Sequence, residues 1–425
     1  MNTRYYRLAM LLSIGVLGQA CTGDKVEQLA VQGRTNANPS IAAAGQFVGV
    51  AWSAATTSSM DIFVATSNDG ATTFSQPVRV NATAGEARVS GEQPPRIALV
   101  PHKGQTPEVV VVWTAKGPTG TLLLSARSVD GGHTFGASTT VPGSDGPGNR
   151  GWESVAVDST GRVLVLWLDH RESAMPAAMH HQAPVAGAMA AMPAPKGDPN
   201  ERAALSKLYF SSLDGSAALT ITPSVCYCCK TSLVATGNNV YAVWRHVYPG
   251  TQRDIAFSQS HDDGATFSAP VRVSEDHWVI DGCPENGPTV AIDRLSRAHV
   301  VWPTPVDGQD VAKLGLFYAV SRDGVAFSRR SQIPTRGPSS HAQMVIEGSG
   351  SPIVAWDEVV NGSRRLGIAR ITADESGNPV FTPIPPPDEG AGRSYPVLAS
   401  TTAGTVAAWV SQADKGSTIG VARVK

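Results

Sequence analysis

Seven times along this chain an apolar strand pattern ends in tryptophan. The copies are FVGVAW to Trp52, VVVVW to Trp113, VLVLW to Trp167, VYAVW to Trp244, AHVVW to Trp302, PIVAW to Trp356 and TVAAW to Trp409. They take seven of the nine tryptophans, spaced 61, 54, 77, 58, 54 and 53 residues apart, and the long interval contains an insertion. Such a period marks a repeat architecture, in which each unit stacks on its neighbours because it cannot bury its own faces. Each unit reads as four strands: a short apolar strand (PRIALV, ESVAV, PTVAI), the strand ending in Trp, a third (DIFVAT, TLLLSAR, DIAFSQS) and a fourth after a tight turn (PVRV at 77–80 and 270–273). Repeated four-stranded units define an all-β propeller with one large aromatic filling each gap between sheets.

Seven copies predict seven four-stranded antiparallel blades, with six blades plus an extra sheet as the alternative. The last copy runs out at Lys425, after its third strand. The segment from Val26 to Gln32 has the right length to supply the missing fourth strand and close the ring. With 42 Gly and 30 Pro in 425 residues, the composition fits many short strands and turns. A formal net charge of -1 and the lack of a basic stripe argue against nucleic acid as a partner.

The N-terminus reads as a targeting segment. Arg4 and Arg7 precede an apolar run from Leu8 to Leu17, and small residues lead into Cys21. The run is too short to span a bilayer comfortably. Gly18, Gln19, Ala20 and Cys21 resemble a lipoprotein cleavage box, with Leu17 one position further from the cysteine than usual. The expected layout is a signal peptide at 1–20, a lipid on Cys21 that anchors the chain to a membrane, and one propeller at 21–425. Cleavage near Ala20 without lipid is the alternative. Either places the protein in the cell envelope, periplasmic or on the outer membrane, where cysteines oxidise.

The turn between strands three and four has its own motif, S-x-D-x-G-x-T-F, at Ser128 to Phe135 and Ser260 to Phe267, with variants at Ser67 to Phe74 and Ser321 to Phe327. Asp69, Asp130, Asp262 and Asp323 can each accept backbone N–H bonds across such a turn, and the glycine supplies a positive φ. Repetition makes these aspartates structural. The motif resembles the Asp-box, or BNR repeat, and the chain is similar over its mature length to the Asp-box propellers of the sialidase-like superfamily.

In an up-and-down blade the one-to-two and three-to-four turns share a rim, so the residues after each Trp and before each first strand share the opposite one. That second rim is the expected site. It gathers Trp152, Asp169, His170, Arg245, His246, Arg253, Asp254, Asp281, Asp357 and Glu358. Resemblance to sialidases implies an arginine cluster for a substrate carboxylate and a Tyr nucleophile paired with Glu. Arg171, Arg245 and Arg393 are the arginine candidates, and Tyr395 with Glu153 or Glu285 the pair. The family's early F/Y-R-I-P motif has no counterpart, since the corresponding region reads NPSIAAAGQFVGVAW. Seven units also depart from that family's six blades. A binding or interaction role is therefore preferred to an exo-α-sialidase, with a structural envelope scaffold as a third reading.

Two sulfur-rich features lie on the same rim. Cys226, Cys228, Cys229 and Cys283 flank the fourth unit. In an exported chain four thiols most simply make two disulfides, with Cys283 tied back to the cluster. The alternative is a thiolate site for a soft ion, although the spacing matches no standard zinc pattern. An extended strand there would point Cys226 and Cys228 one way and Cys229 the other. The insertion at 172–206 holds Met175, Met179, His180, His181, Met189 and Met192 among Ala and Pro. Thioether and imidazole suit copper, especially Cu(I), so copper is the candidate cofactor, against an incidental low-complexity loop.

Overall fold

The computed structural model describes residues 26–173, 198–215, 217–280, 284–308, 310–413 and 416–425. Seven four-stranded antiparallel sheets form a ring of blades. The first strands are Thr35–Ala44, Arg96–Val100, Arg150–Val157, Ser232–Thr236, Thr289–Ile292, Ser339–Ile346 and Arg393–Thr401, numbered here as blades 1 to 7. Neighbouring first strands contact one another around the axis. The described residues contain a single α-helix, Pro199–Ala204, which leads into the third strand of blade 3.

The repeated tryptophans do what their spacing implies. Trp244 of blade 4 is packed among Leu164, Leu166 and Leu208 of blade 3. Trp113 packs against blade 1 residues Val64 and Ile62, and Trp409 against Ile353 and Ile368 of blade 6. Each of the seven is at most 4% exposed. Burying an indole at every seam removes a large apolar area from water, and this makes the stack of sheets cohere. In blade 7 the ring needs a glycine opposite, because a Cβ on Gly420 would lie 2.6 Å from the Trp409 indole.

Closure follows the expected route. Glu27–Leu29 pairs antiparallel with the third strand of blade 7, Gly416–Arg423, with Gln28 opposite Gly420. The seam carries side-chain locks. Asn36 Nδ2 donates to Ser417 O at 2.9 Å, and Ser417 Oγ donates to Asn36 O at 2.7 Å.

On the turn-motif rim, Asp130 Oδ1 accepts from the His133 and Thr134 N–H groups at 3.0 and 2.9 Å, while Thr134 Oγ1 donates to Oδ2. Asp69, Asp262 and Asp323 repeat the pattern with their own turn amides. These hydrogen bonds, Ser128 first, hold the Asp130 carboxyl well below its ordinary range.

Candidate functional site

The first strands are bulged at the rim opposite those turns. In blades 1, 3, 6 and 7 the pairing with the second strand slips by one residue. At each slip a non-glycine residue takes positive φ: Asn38 at 57°, Trp152 at 53°, His341 at 55° and Tyr395 at 52°. All four stand two residues before the position paired with the residue preceding the blade tryptophan. A bulge re-aims a side chain, and left-handed backbone at non-glycine residues stores strain that the surrounding fold must support.

A turn from blade 2 plugs the channel beneath them. Ser90 and Gln93 exchange backbone hydrogen bonds, and the buried Glu92 between them reaches across the axis. Glu92 Oε2 accepts from Gly287 N at 2.9 Å and from Lys230 N at 3.4 Å. Lys230 Nζ in turn donates to Ala342 O of the blade 6 first strand at 2.6 Å. At the tip of the turn, a Cβ on Gly91 would lie 2.2 Å from the Tyr395 ring. Blades 2, 4, 5, 6 and 7 are thus braced through the centre at the loop-rich mouth of the ring.

Three residues named from sequence meet at that mouth, beside one that was not. His341 Nδ1 lies 2.7 Å from Asp357 Oδ2, and its ring stacks on Tyr395 with centroids 3.9 Å apart. The fully buried Asp357 also accepts from Tyr395 N at 2.7 Å and pairs with Arg364. Burial opposes its ionisation, but His341 and Arg364 hold its carboxyl below the ordinary value. Glu285, at φ 46°, has its carboxyl held above the ordinary value by desolvation and then by the Glu92 charge, with His341 opposing. Burial, with Asp357 and Glu92, raises the Tyr395 phenol. Reasoning from sequence missed His341, Glu92, Lys230 and Arg364. Aligning the seven units would have found two of them, because Lys230 and His341 share the register position of Trp152 and Tyr395.

The arginine candidates do not gather there. Arg171 binds Asp169 through Nε at 2.8 Å and Nη2 at 2.6 Å, and Asp169 also accepts from Trp167 Nε1. Arg393 binds Asp388 at 2.6 Å. Arg245, 1% exposed, gives its N–H groups to the carbonyls of Asn286, Arg253 and Pro303. Its guanidinium lies 4.7 Å from the Trp278 ring centroid.

Other rim candidates are likewise inward and engaged. Glu153 is fully buried, with Oε2 accepting from Thr114 Oγ1 rather than from Tyr395. His170 Nδ1 meets Ser206 Oγ, and the Trp152 ring packs edge-on to His170. Asp254 accepts from the His277 and Trp278 N–H groups, and Glu358 from Arg336. Asp281 lies outside the described residues, as do Cys21, Cys283 and the methionines and histidines Met175, Met179, His180, His181, Met189 and Met192.

His246 is half-buried, stacked edge-on to Tyr248 at 4.6 Å, with Nδ1 3.3 Å from Trp244 Nε1. Burial, helped by Arg272, pushes its pKa down to about 4. The unfolded chain therefore takes up a proton at this residue near pH 6.5, before the native chain does. Stability from this group is complete above pH 6.5 and is lost as pH falls toward 4. After allowance for its partial exposure, the loss is about 1–2 kcal/mol. Chemical denaturation of His246→Gln at pH 7 and pH 4.5 is expected to show a smaller acid loss than the parent. An equal loss rules the residue out as the cause.

The cysteine segment is not the extended strand expected. Ser224 takes φ 61° and the chain turns at Tyr227 and Cys228. The turn brings Cys226 and Cys229 face to face, Sγ to Sγ 3.7 Å, instead of pointing them apart. Both are free thiols and each is 1% exposed. Cys228 is disulfide-bonded, so although the three sulfurs lie within 4.8 Å of one another, only two are available as thiolates. Arg253 Nη1 donates to Cys226 Sγ at 3.2 Å and its Nε to Ile280 O at 2.8 Å. Against burial, the Cys229 thiol and Arg253 lower the Cys226 pKa, and burial with the Cys226 charge raises that of Cys229.

A cavity of about 810 Å3 opens on the other rim, lined by Ala44, Phe47, Leu99, Pro101 and His102. It holds none of the polar groups described above.

No family model and no curated protein matches the sequence. Among solved structures the chain is similar to a PL25 ulvan lyase, with 10% identity, 92% of this chain and 95% of that one covered, and a TM-score of 0.54. It is also similar to an α-L-arabinofuranosidase of Fusarium graminearum, with 11% identity, 95% and 97% covered, and a TM-score of 0.51. An α-L-arabinanase of Penicillium chrysogenum gives 11%, 95% and 97%, and 0.50. At such identities the likeness is one of fold alone, a β-propeller, here of seven four-stranded blades.

Proposed function

We propose that this chain is an exported binding protein of the cell envelope, anchored by lipid at Cys21. Its ligand face is the rim opposite the S-x-D-x-G-x-T-F turns, and that face carries a soft-metal site with copper as the favoured ion. One observation supports binding over sialidase chemistry. Arg171 and Arg393 are each committed to an aspartate, and Arg245 is committed to backbone carbonyls, leaving none of the three to clamp a substrate carboxylate.

The glycosidase reading keeps one point in its favour. Tyr395, His341, Asp357 and Glu285 put an oriented imidazole, a phenol and a carboxyl of raised pKa at one mouth. Two measurements on the purified mature chain separate the readings. Metal analysis without chelator is expected to find substoichiometric to stoichiometric copper, and fluorogenic sialosides and arabinosides are expected to remain uncleaved. Turnover that disappears in Tyr395→Phe, with the fold intact by circular dichroism, would replace the binding reading with the enzymatic one.

A further inference from the structure

We propose that Cys226 and Cys229 form a two-thiolate site for Cu(I), with Arg253 as the residue that positions Cys226 and offsets its charge. The inference rests on the soft-metal reading above and names its ligands. The Cys-x-x-Cys turn sets two free sulfurs 3.7 Å apart, an arrangement that one ion between them can bridge. Thiolates select soft ions, and Cu(I) accepts so small a ligand set. Structural zinc takes four protein ligands, and Cys228 cannot add a third thiolate because it is already in a disulfide.

The surroundings also favour a single positive charge. Arg253 donates to Cys226 Sγ at 3.2 Å, and the guanidinium of Arg245 acts on both sulfurs. Lys230 follows Cys229 directly in the chain, and Glu92, whose carboxylate accepts from Lys230 N, is the acidic group facing it. A divalent ion adds more charge to this cationic pocket than a monovalent one, at greater electrostatic cost. The pair belongs to a core of Trp152, Val225, Leu233 and Trp244, so a bound ion is shielded from water and from oxidants. A guanidinium donating to a coordinating sulfur is the kind of outer contact that orients ligands and tunes affinity.

The test uses the mature chain with the Cys228 disulfide intact and Cys226 and Cys229 as free thiols, kept anaerobic without added reductant and titrated with Cu(I) against a chromophoric Cu(I) chelator. Cu(II) is unsuitable as a probe. Two Cu(II) ions would take one electron each from the two thiolates, giving two Cu(I) and a Cys226–Cys229 disulfide. The expected result is one Cu(I) per chain, both thiols protected from alkylation, and no retention of Zn(II) in the same competition. Cys226→Ser and Cys229→Ser are each expected to abolish retention, while thermal melts show the fold intact. Arg253→Lys keeps the stoichiometry and weakens affinity about 10-fold.

Three outcomes overturn the proposal. Copper retained by the Cys226→Ser/Cys229→Ser double variant places the site elsewhere, and the soft-metal reading survives without this inference. A Cys226–Cys229 disulfide that only unfolding makes reducible assigns the pair a structural role. Parent protein with both thiols free and the Cys228 disulfide intact that binds no Cu(I) removes both readings together.

Discussion

Arg245→Ala is expected to cost about 3–5 kcal/mol of stability, because it strips hydrogen-bond donors from buried carbonyls rather than breaking a substrate contact. The side chain is 1% exposed and has no ion pair among the described residues. Its guanidinium instead satisfies three carbonyls: Asn286 O at 2.8 Å, Arg253 O at 2.7 Å and Pro303 O at 2.6 Å. Each carbonyl left unpaired in the core costs about 1–3 kcal/mol. The vacated volume beside Trp278 adds a cavity penalty. Relief of the buried charge offsets part of that sum, which is why the expected loss is no larger. Urea titration followed by tryptophan fluorescence reads the effect as a lower midpoint. A parent-like midpoint would return Arg245 to the list of ligand-binding residues. Until that is measured, activity lost in this variant says nothing about carboxylate recognition.

The stability difference between Glu153→Gln and the parent is expected to grow by about 3 kcal/mol from pH 4.5 to pH 8, in favour of the variant. Burial raises the Glu153 pKa from 4.5 to about 7, with Arg96 and Thr114 only partly compensating. Between those values the native carboxyl holds its proton while the unfolded one has released it, so the native state binds more protons and loses stability as pH rises. Below pH 4.5 both forms are neutral and the term vanishes. Glutamine is neutral throughout, so the difference between the two proteins isolates this one group. Its Nε2 or Oε1 can keep the Thr114 contact, and Arg96 Nε retains its bond to Glu153 O, which is backbone. Parallel stability curves for the two proteins would mean that Glu153 titrates like an exposed glutamate.

Both predictions arise where reading from sequence stopped. Arg245 and Glu153 follow or precede apolar strand residues at the loop-rich rim, and such positions read as exposed. The fold turns them inward, against Pro303 and Thr114 of neighbouring blades. The mouth was legible in part. Tyr395, Asp357 and Glu285 are candidates from sequence, but His341 is not, since it looks unremarkable within its own blade. Only its register, shared with Trp152 and Tyr395, marks it. The plug at Glu92 was invisible for a different reason. Its partners Gly287 and Lys230 lie 195 and 138 residues away, and nothing local about a buried glutamate says which blade it will reach.

The cysteines show the same division at shorter range. Their number and spacing came from the chain alone. Their pairing depended on whether Cys226 to Cys229 ran straight or turned, and the left-handed Ser224 together with the turn at Tyr227 and Cys228 decided that.

The sequence by itself determined the all-β class, the seven units, the closing strand and the division into two rims. Those follow from a hydrophobic period and one tryptophan per unit, and hydrophobic burial depends on pattern more than on detail. The tertiary structure alone decided which polar side chains meet. Hydrogen bonds and ion pairs act over about 3 Å, and ring closure, bulges and a turn reaching across the axis set those distances between residues far apart in the chain.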